Sequence, residues 1–113
     1  MMKTLGARGE ELAACFLQKS GFIILERNWR CAHGEIDIIA RDGEVLVFIE
    51  VKTRRSSRFG TPAEAVHARK QKKLRSLARH YLYEKRITAP SYRFDVAAVD
   101  GKTNQVTLVK DAF

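Results

Sequence analysis

Cysteine is scarce in this sequence: only Cys15 and Cys31 occur in 113 residues, and they form no Cys-x-x-Cys pair. That excludes a disulfide framework, and Cys31-Ala32-His33 without a second ligand pair does not make a zinc site. Long apolar runs are absent too. The longest, Leu12 to Leu17, falls far short of the roughly 20 residues a membrane span needs, as does Val45 to Ile49 in the strand region. The opening MMKTLGARGEELAA contains no apolar stretch of the signal-peptide kind, so reduced thiols in the cytoplasm are the expectation. There are no repeats or low-complexity segments, and the length predicts one domain over residues 1–113. With 45% hydrophobic and 30% charged residues, the composition is that of a folded chain rather than a disordered one.

Acid is missing from one stretch in particular. Residues 52–86 hold 12 of the 21 Lys and Arg but only two acids, Glu64 and Glu84. The formal charge of +8 therefore arises in that segment alone. A local excess of this kind is the footprint of a polyanion-binding face, and nucleic acid is the expected partner. The plain alternative is a solvated helix face, but such faces usually mix signs. A membrane partner is not expected, because the segment has no Trp/Phe-rich apolar side.

What is present reads as alternating α and β elements. Leu5, Leu12, Ala13, Phe16 and Leu17 repeat at helical spacing, and Ser20-Gly21 ends that helix. Strands are predicted over 22–31, 35–41 and 44–52, the last two joined by a two-residue hairpin at Asp42-Gly43. Thr61, Pro62 and Glu64 supply an N-cap, an N1 proline and a capping-box acid for a helix running to about Glu84. After Ala89-Pro90 come a fourth strand at 92–99 and a fifth at 104–109. The order predicts an α/β fold with helices on a mixed central sheet.

Charged residues interrupt the most apolar strands. Strand alternation places Glu35, Asp37, Ile39 and Arg41 on one face, and Leu46, Phe48, Glu50 and Lys52 on one face of the next strand. A two-residue turn at Asp42-Gly43 pairs Arg41 with Glu44 and sets 37 opposite 48, leaving Asp37 diagonal to Glu50. Unpaired buried charges cost several kcal/mol each. Carboxylate oxygens suit Mg²⁺, which removes that objection. A structural Lys–Glu pair at the strand exit, with Asp37 at a frayed end, answers it equally well.

Asp37 followed by Glu50-Val51-Lys52 resembles the PD-(D/E)XK nuclease motif, with Ile36 where that motif has its proline. The αβββαβ order resembles the restriction-endonuclease-like core. Across most of the chain GARGEELAACFLQKSGF, RNWRCAHGEIDIIARDG, VFIEVKTRRSSRFGTPAEAV and RFDVAAV resemble the YraN family, bacterial proteins similar to archaeal Holliday-junction resolvases. The resemblance implies a Mg²⁺-dependent endonuclease, Mn²⁺ substituting, that acts on DNA, branched DNA included. Asp37, Glu50 and the Val51 carbonyl would hold the metal and Lys52 would serve the attacking water or the scissile phosphate. Two symmetric cuts imply a homodimer. A nucleic-acid-binding module without catalysis, and an interaction protein with structural ion pairs, remain alternatives.

The superfamily often adds an acid from the first helix. Glu10 lies about 100° from the centre of the apolar stripe and Glu11 about 160°, which favours Glu10. In the second helix Lys70 falls at the middle of the apolar face, four residues from Val66 and from Leu74, and either snorkels or meets an acid. Arg54, Arg55 and Arg58, with Lys70 and Lys73, are the candidate phosphate contacts; Arg69, Lys72, Arg75 and Arg79 are further ones, and His67 is a weaker candidate for the site. Glu35 and Asp95 are expected to support the site from behind, Asp95 paired with Arg93 or another base.

Overall fold

In α1 (Leu5–Lys19) the first turn is closed by Thr4, whose hydroxyl accepts the Ala7 N–H at 3.1 Å. The last turn closes on Gly21 at φ +95: its N–H reaches the Gln18 carbonyl and that of Phe22 reaches Leu17. That double bond pattern needs a left-handed residue, which glycine supplies. The chain then runs β1 (Ile23–Cys31), β2 (Gly34–Asp42), β3 (Val45–Arg54), α2 (Ala68–Glu84), β4 (Tyr92–Asp100) and β5 (Val106–Val109). The computed structural model describes residues 4–55, 66–88 and 91–113.

The sheet order is β1-β2-β3-β4-β5. Only β3 and β4 pair in parallel, which requires a crossover, and α2 lies in it. The fold is therefore α/β with a mixed sheet flanked by helices, in the αβββαβ order of a restriction-endonuclease-like core, with β5 added at the edge.

Each face buries its own cluster. Ala13 and Leu17 of α1 pack on Ile38, Ala40, Val47 and Ile49. Leu74, Leu77 and Tyr81 of α2 pack on Ile36, Ile39, Phe48 and Phe94, with Trp29 edge-on to Tyr81 at 5.3 Å. A sheet buried on both sides accounts for the nearly unbroken apolar runs in β2 and β3. No helix among the described residues is long and apolar enough to cross a membrane.

Three sequence expectations shift. The hairpin pairs Asp42 with Val45, so Gly43-Glu44 forms the tip. Gly43 has φ +63 and occupies the first central position, where a II′ turn requires glycine. Ile39 consequently opposes Phe48, and one further step sets Asp37 directly across from Glu50.

Strict alternation in β2 also fails. Ile36 and Ile39 lie in the α2-side cluster, whereas Ile38 and Ala40 lie in the α1-side cluster, so Glu35, Asp37, Ile39 and Arg41 do not share one face. The pleat breaks at Asp37. Across from it, between the pairs Arg27↔Ile38 and Trp29↔Ile36, stands Asn28 at φ +53.

Finally, Val66 and His67 are not helical, and α2 begins at Ala68. Val66 is fully buried, and its carbonyl accepts the Gln71 side chain at 2.8 Å. That anchor stands at the start of the helix, and the predicted cap residues Thr61, Pro62 and Glu64 lie outside the described residues.

Candidate metal centre

Gly9 decides where the first acid goes. It is buried where α1 crosses β3, and a Cβ there would fall on the Thr53 hydroxyl. The bare backbone lets the first turns of α1 sit down on the sheet, and the next residue, Glu10, leans over the end of β2. Gly9→Ala is expected to push α1 off β3 and to cost about 1–3 kcal/mol, the usual penalty of overpacking, measurable by urea unfolding. Glu10 would move with the helix, so divalent-cation affinity should fall in the same variant.

Glu10, Glu35 and Asp37 each offer an oxygen within 4.8 Å of the others, and all three are half-buried. Three carboxylates this close oppose one another's ionisation. Burial first, then the charges of Asp37 and Glu35, hold the Glu10 carboxyl above its ordinary range; Arg27 and a hydrogen bond from Asn28 pull it back. Glu35 is fixed by Arg30, whose Nε–H donates at 2.9 Å. Asp37 is fixed by the Val51 N–H, which donates to Oδ2 at 2.8 Å.

Glu50 approaches Asp37 from the neighbouring strand. It is 7% exposed, and its carboxyl is pushed up to about 7 by burial first, then by a hydrogen bond and charge from Asp37. Lys70 and Lys52 act in the other direction. Lys70 reaches in from α2, its Nζ 3.4 Å from Glu50 Oε2, so it meets the acid rather than snorkelling away. The pair has ion-pair distance but not hydrogen-bond alignment: Oε2 is a buried oxygen without a hydrogen-bond partner.

These residues fit a hard divalent cation. An orphaned buried carboxylate oxygen and a crowd of mutually repelling acids are both relieved by a 2+ ion with oxygen preference. The acids divide around the break in β2: Glu10, Glu35 and Asp37 cluster together, and Asp37 also bonds Glu50.

Other sequence candidates fall at varied distances from this centre. Lys52 is half-buried, two residues beyond Glu50. Arg54 accepts the Gly101 N–H on its carbonyl at 2.6 Å, and Arg55 is exposed beside the same turn. Arg58 lies outside the described residues. Lys73 lies over the β1–β2 turn, where a Cβ on Gly34 would come within 3.1 Å of its Cε. Glu11 is exposed, and Cys31 and His33 are not part of the acidic cluster.

Asp95 belongs to a different network. It is completely buried and held by Arg93 through bonds of 2.9 and 3.1 Å and by the Asp111 N–H at 2.9 Å. Arg93 continues to Asp42 at 2.8 Å, which ties β4 to the β2–β3 turn and the C-terminal segment. The pairing with Arg93 matches the expectation, but none of these partners is one of the site acids.

Sequence reasoning missed Asn28 and Arg30, the residues that hold Glu10 and Glu35. The available signal was Asn28 itself, one of the few residue types that accept a left-handed backbone within a strand.

The model of the uncharacterised protein family UPF0102 matches residues 9–99, from the Gly9 contact to Val99, next to last in β4. A UPF0102 protein of Syntrophus aciditrophicus is 48% identical over 96% of this chain and 87% of its own length. One from Rhodococcus opacus is 49% identical over 96% and 95%, and one from Alkaliphilus metalliredigens 44% identical over the whole of both chains. The chain belongs to the UPF0102 family, the YraN family its motifs resemble.

Proposed function

We propose that this protein is a divalent-metal-dependent endonuclease that hydrolyses DNA phosphodiester bonds in the cytoplasm, with branched, Holliday-junction-like DNA as a substrate. The observation that carries this reading is Glu50 Oε2, a buried carboxylate oxygen without a hydrogen-bond partner beside Asp37. Folding a chain around such an atom is costly, and an Mg²⁺ or Mn²⁺ ion repays the cost by bonding to it.

In this reading Asp37, Glu50 and the Val51 carbonyl would hold the ion, and Glu10 and Glu35 would complete its charge balance. The bound cation supplies Lewis-acid polarisation of the phosphate and a readily deprotonated water. Lys52 orients that water or neutralises charge growing on the phosphate. Arg54, Arg55, Arg58, Lys70 and Lys73 grip phosphates without reading bases. Water oxygen attacks phosphorus and the strand oxygen leaves, with no covalent protein intermediate. Two symmetric cuts call for a homodimer.

The Lys70–Glu50 contact favours a second reading, in which the site already has its counter-charge and the protein only binds nucleic acid. Linear, nicked, flapped and four-way DNA incubated with Mg²⁺, Mn²⁺ or EDTA separate the two. Cleavage that requires metal is expected. Uncut DNA in every combination would leave the binding module standing.

A further inference from the structure

The positive charges of α2 do not all face one way. Lys70 turns to Glu50, while Arg75 lies over the rings of Phe94 and Phe113 on the side away from the β1–β2 turn. Lys73 and His80, three and ten residues beyond Lys70, share the opposite edge of the helix, the one that meets this turn.

The turn fits closely against that edge. Gly34 has φ +148, and a Cβ on it would come within 3.1 Å of Lys73 Cε and 3.4 Å of Leu77 Cδ1. The φ of +148 favours glycine here, and a side chain would also make Lys73 give by a few tenths of an ångström. His33 then stacks on His80, ring centroids 4.6 Å apart at 21°. Residues 30–35 line an open depression of about 530 Å³ beside this contact.

The depression ends at the acids. Glu35 lines it and is also part of the acidic cluster. Arg30 neutralises Glu35 through Nε, and its side chain is 75% exposed, so its other N–H groups face solvent. Arg30 and His33 line this hollow, and Lys73 and His80 border the same turn from the helix, against Gly34 and His33. Lys73 and His80 stand about 10 Å apart along the helix, the rise of about three stacked nucleotides.

We propose that the β1–β2 turn and the facing edge of α2 form a phosphate-binding groove that seats the backbone of a nucleic-acid strand next to the acidic cluster. It rests on the nucleic-acid part of the function proposed above. The groove gives the strand a direction: out of the metal centre past Glu35, along Arg30 and Lys73, to the stacked histidines.

Lys72 provides an internal control, since Lys72 and Lys73 are adjacent, exposed and equally charged. A diffuse basic field would treat them alike; a groove would not. The measurement is fluorescence anisotropy of labelled duplex and four-way DNA across a salt series, in EDTA so that nothing is cut. Lys73→Gln is expected to weaken binding about tenfold and to lower the salt slope by about one, and Lys73→Gln/His80→Gln to weaken it further. Lys72→Gln should weaken it by less than about threefold. All three positions are exposed, and unchanged thermal unfolding would confirm that folding is not the cause. Equal losses for Lys72 and Lys73, or no DNA binding by the unmodified protein, would overturn the groove. The expected contrast without any cleavage would keep the groove and remove the nuclease reading. Metal-dependent cleavage without the contrast would do the reverse.

Discussion

Glu50→Gln is expected to abolish metal-dependent cleavage, by about 10²–10³-fold or more, and yet to make the metal-free protein more stable. The two effects share one cause. Glu50 is buried against Asp37, and its carboxyl is raised from 4.5 to about 7. The folded state therefore holds a proton that the unfolded state releases near 4.5. Stability contributed by that proton is complete below about pH 4.5 and is lost as pH rises to about 7. Above pH 7 the folded protein carries a charge it disfavours, and the amide removes that penalty.

The full shift corresponds to about 3 kcal/mol, and relaxation and the nearby lysines reduce it, so a gain of about 1–2 kcal/mol at pH 8 is expected. That is a rise in Tm of roughly 5–10 °C. Losing Lys70's partner costs little, because the lysine side chain is 40% exposed and stays solvated. If Glu50 is a ligand as proposed, adding Mg²⁺ should stabilise the unmodified protein and leave the variant nearly unchanged. Thermal unfolding at pH 5 and pH 8, with EDTA and with Mg²⁺, reads all of this. A variant less stable than its parent in EDTA at pH 8 would mean that the Glu50–Lys70 pair is structural.

The elements were legible because each rests on local chemistry. Thr4 and Gly21 bound α1 whatever lies beyond it, and the apolar runs of β2 and β3 signal a sheet covered on both sides. The meeting of Asp37 with Glu50 was legible as well, since any short turn near Gly43 brings those strands together. Its register was not. Asp-Gly and Gly-Glu are both possible tips, and the choice depends on Gly43 taking the first central position while Asp42 stays in the ladder, bonded to a distant Arg93.

The start of α2 was misread for a similar reason. Thr61-Pro62-Ala63-Glu64 is a strong local signal, but the helix begins where Val66 is anchored in the core, a tertiary matter. The break at Asp37 was invisible because period-2 alternation is the assumption with which a strand is read. That break is what allows Asp37 to cluster with Glu10 while facing Glu50 on the neighbouring strand. Lys70 posed an open question that only the path of α2 across the sheet could answer.

Asp95→Ala should produce the largest loss of stability, about 3 kcal/mol and roughly 10–20 °C in Tm. The carboxylate is fully buried, and removing it strands three donors: two N–H groups of Arg93 and the backbone N–H of Asp111. Arg93 keeps Asp42, and its side chain is 18% exposed, which places the cost at the low end for a broken buried pair. Asp95→Asn keeps the volume and an acceptor for Asp111, so it should cost about half as much. The informative readout is not stability. Asp95 bonds β4 to the hairpin turn and to the C-terminal segment, and none of its partners is Glu10, Glu35, Asp37 or Glu50. Mn²⁺ affinity of Asp95→Asn, measured by calorimetry well below its Tm, should therefore match that of the unmodified protein within about twofold. A fall of the 10–100-fold size seen when a metal ligand loses its support would make Asp95 part of the metal centre and not of the scaffold.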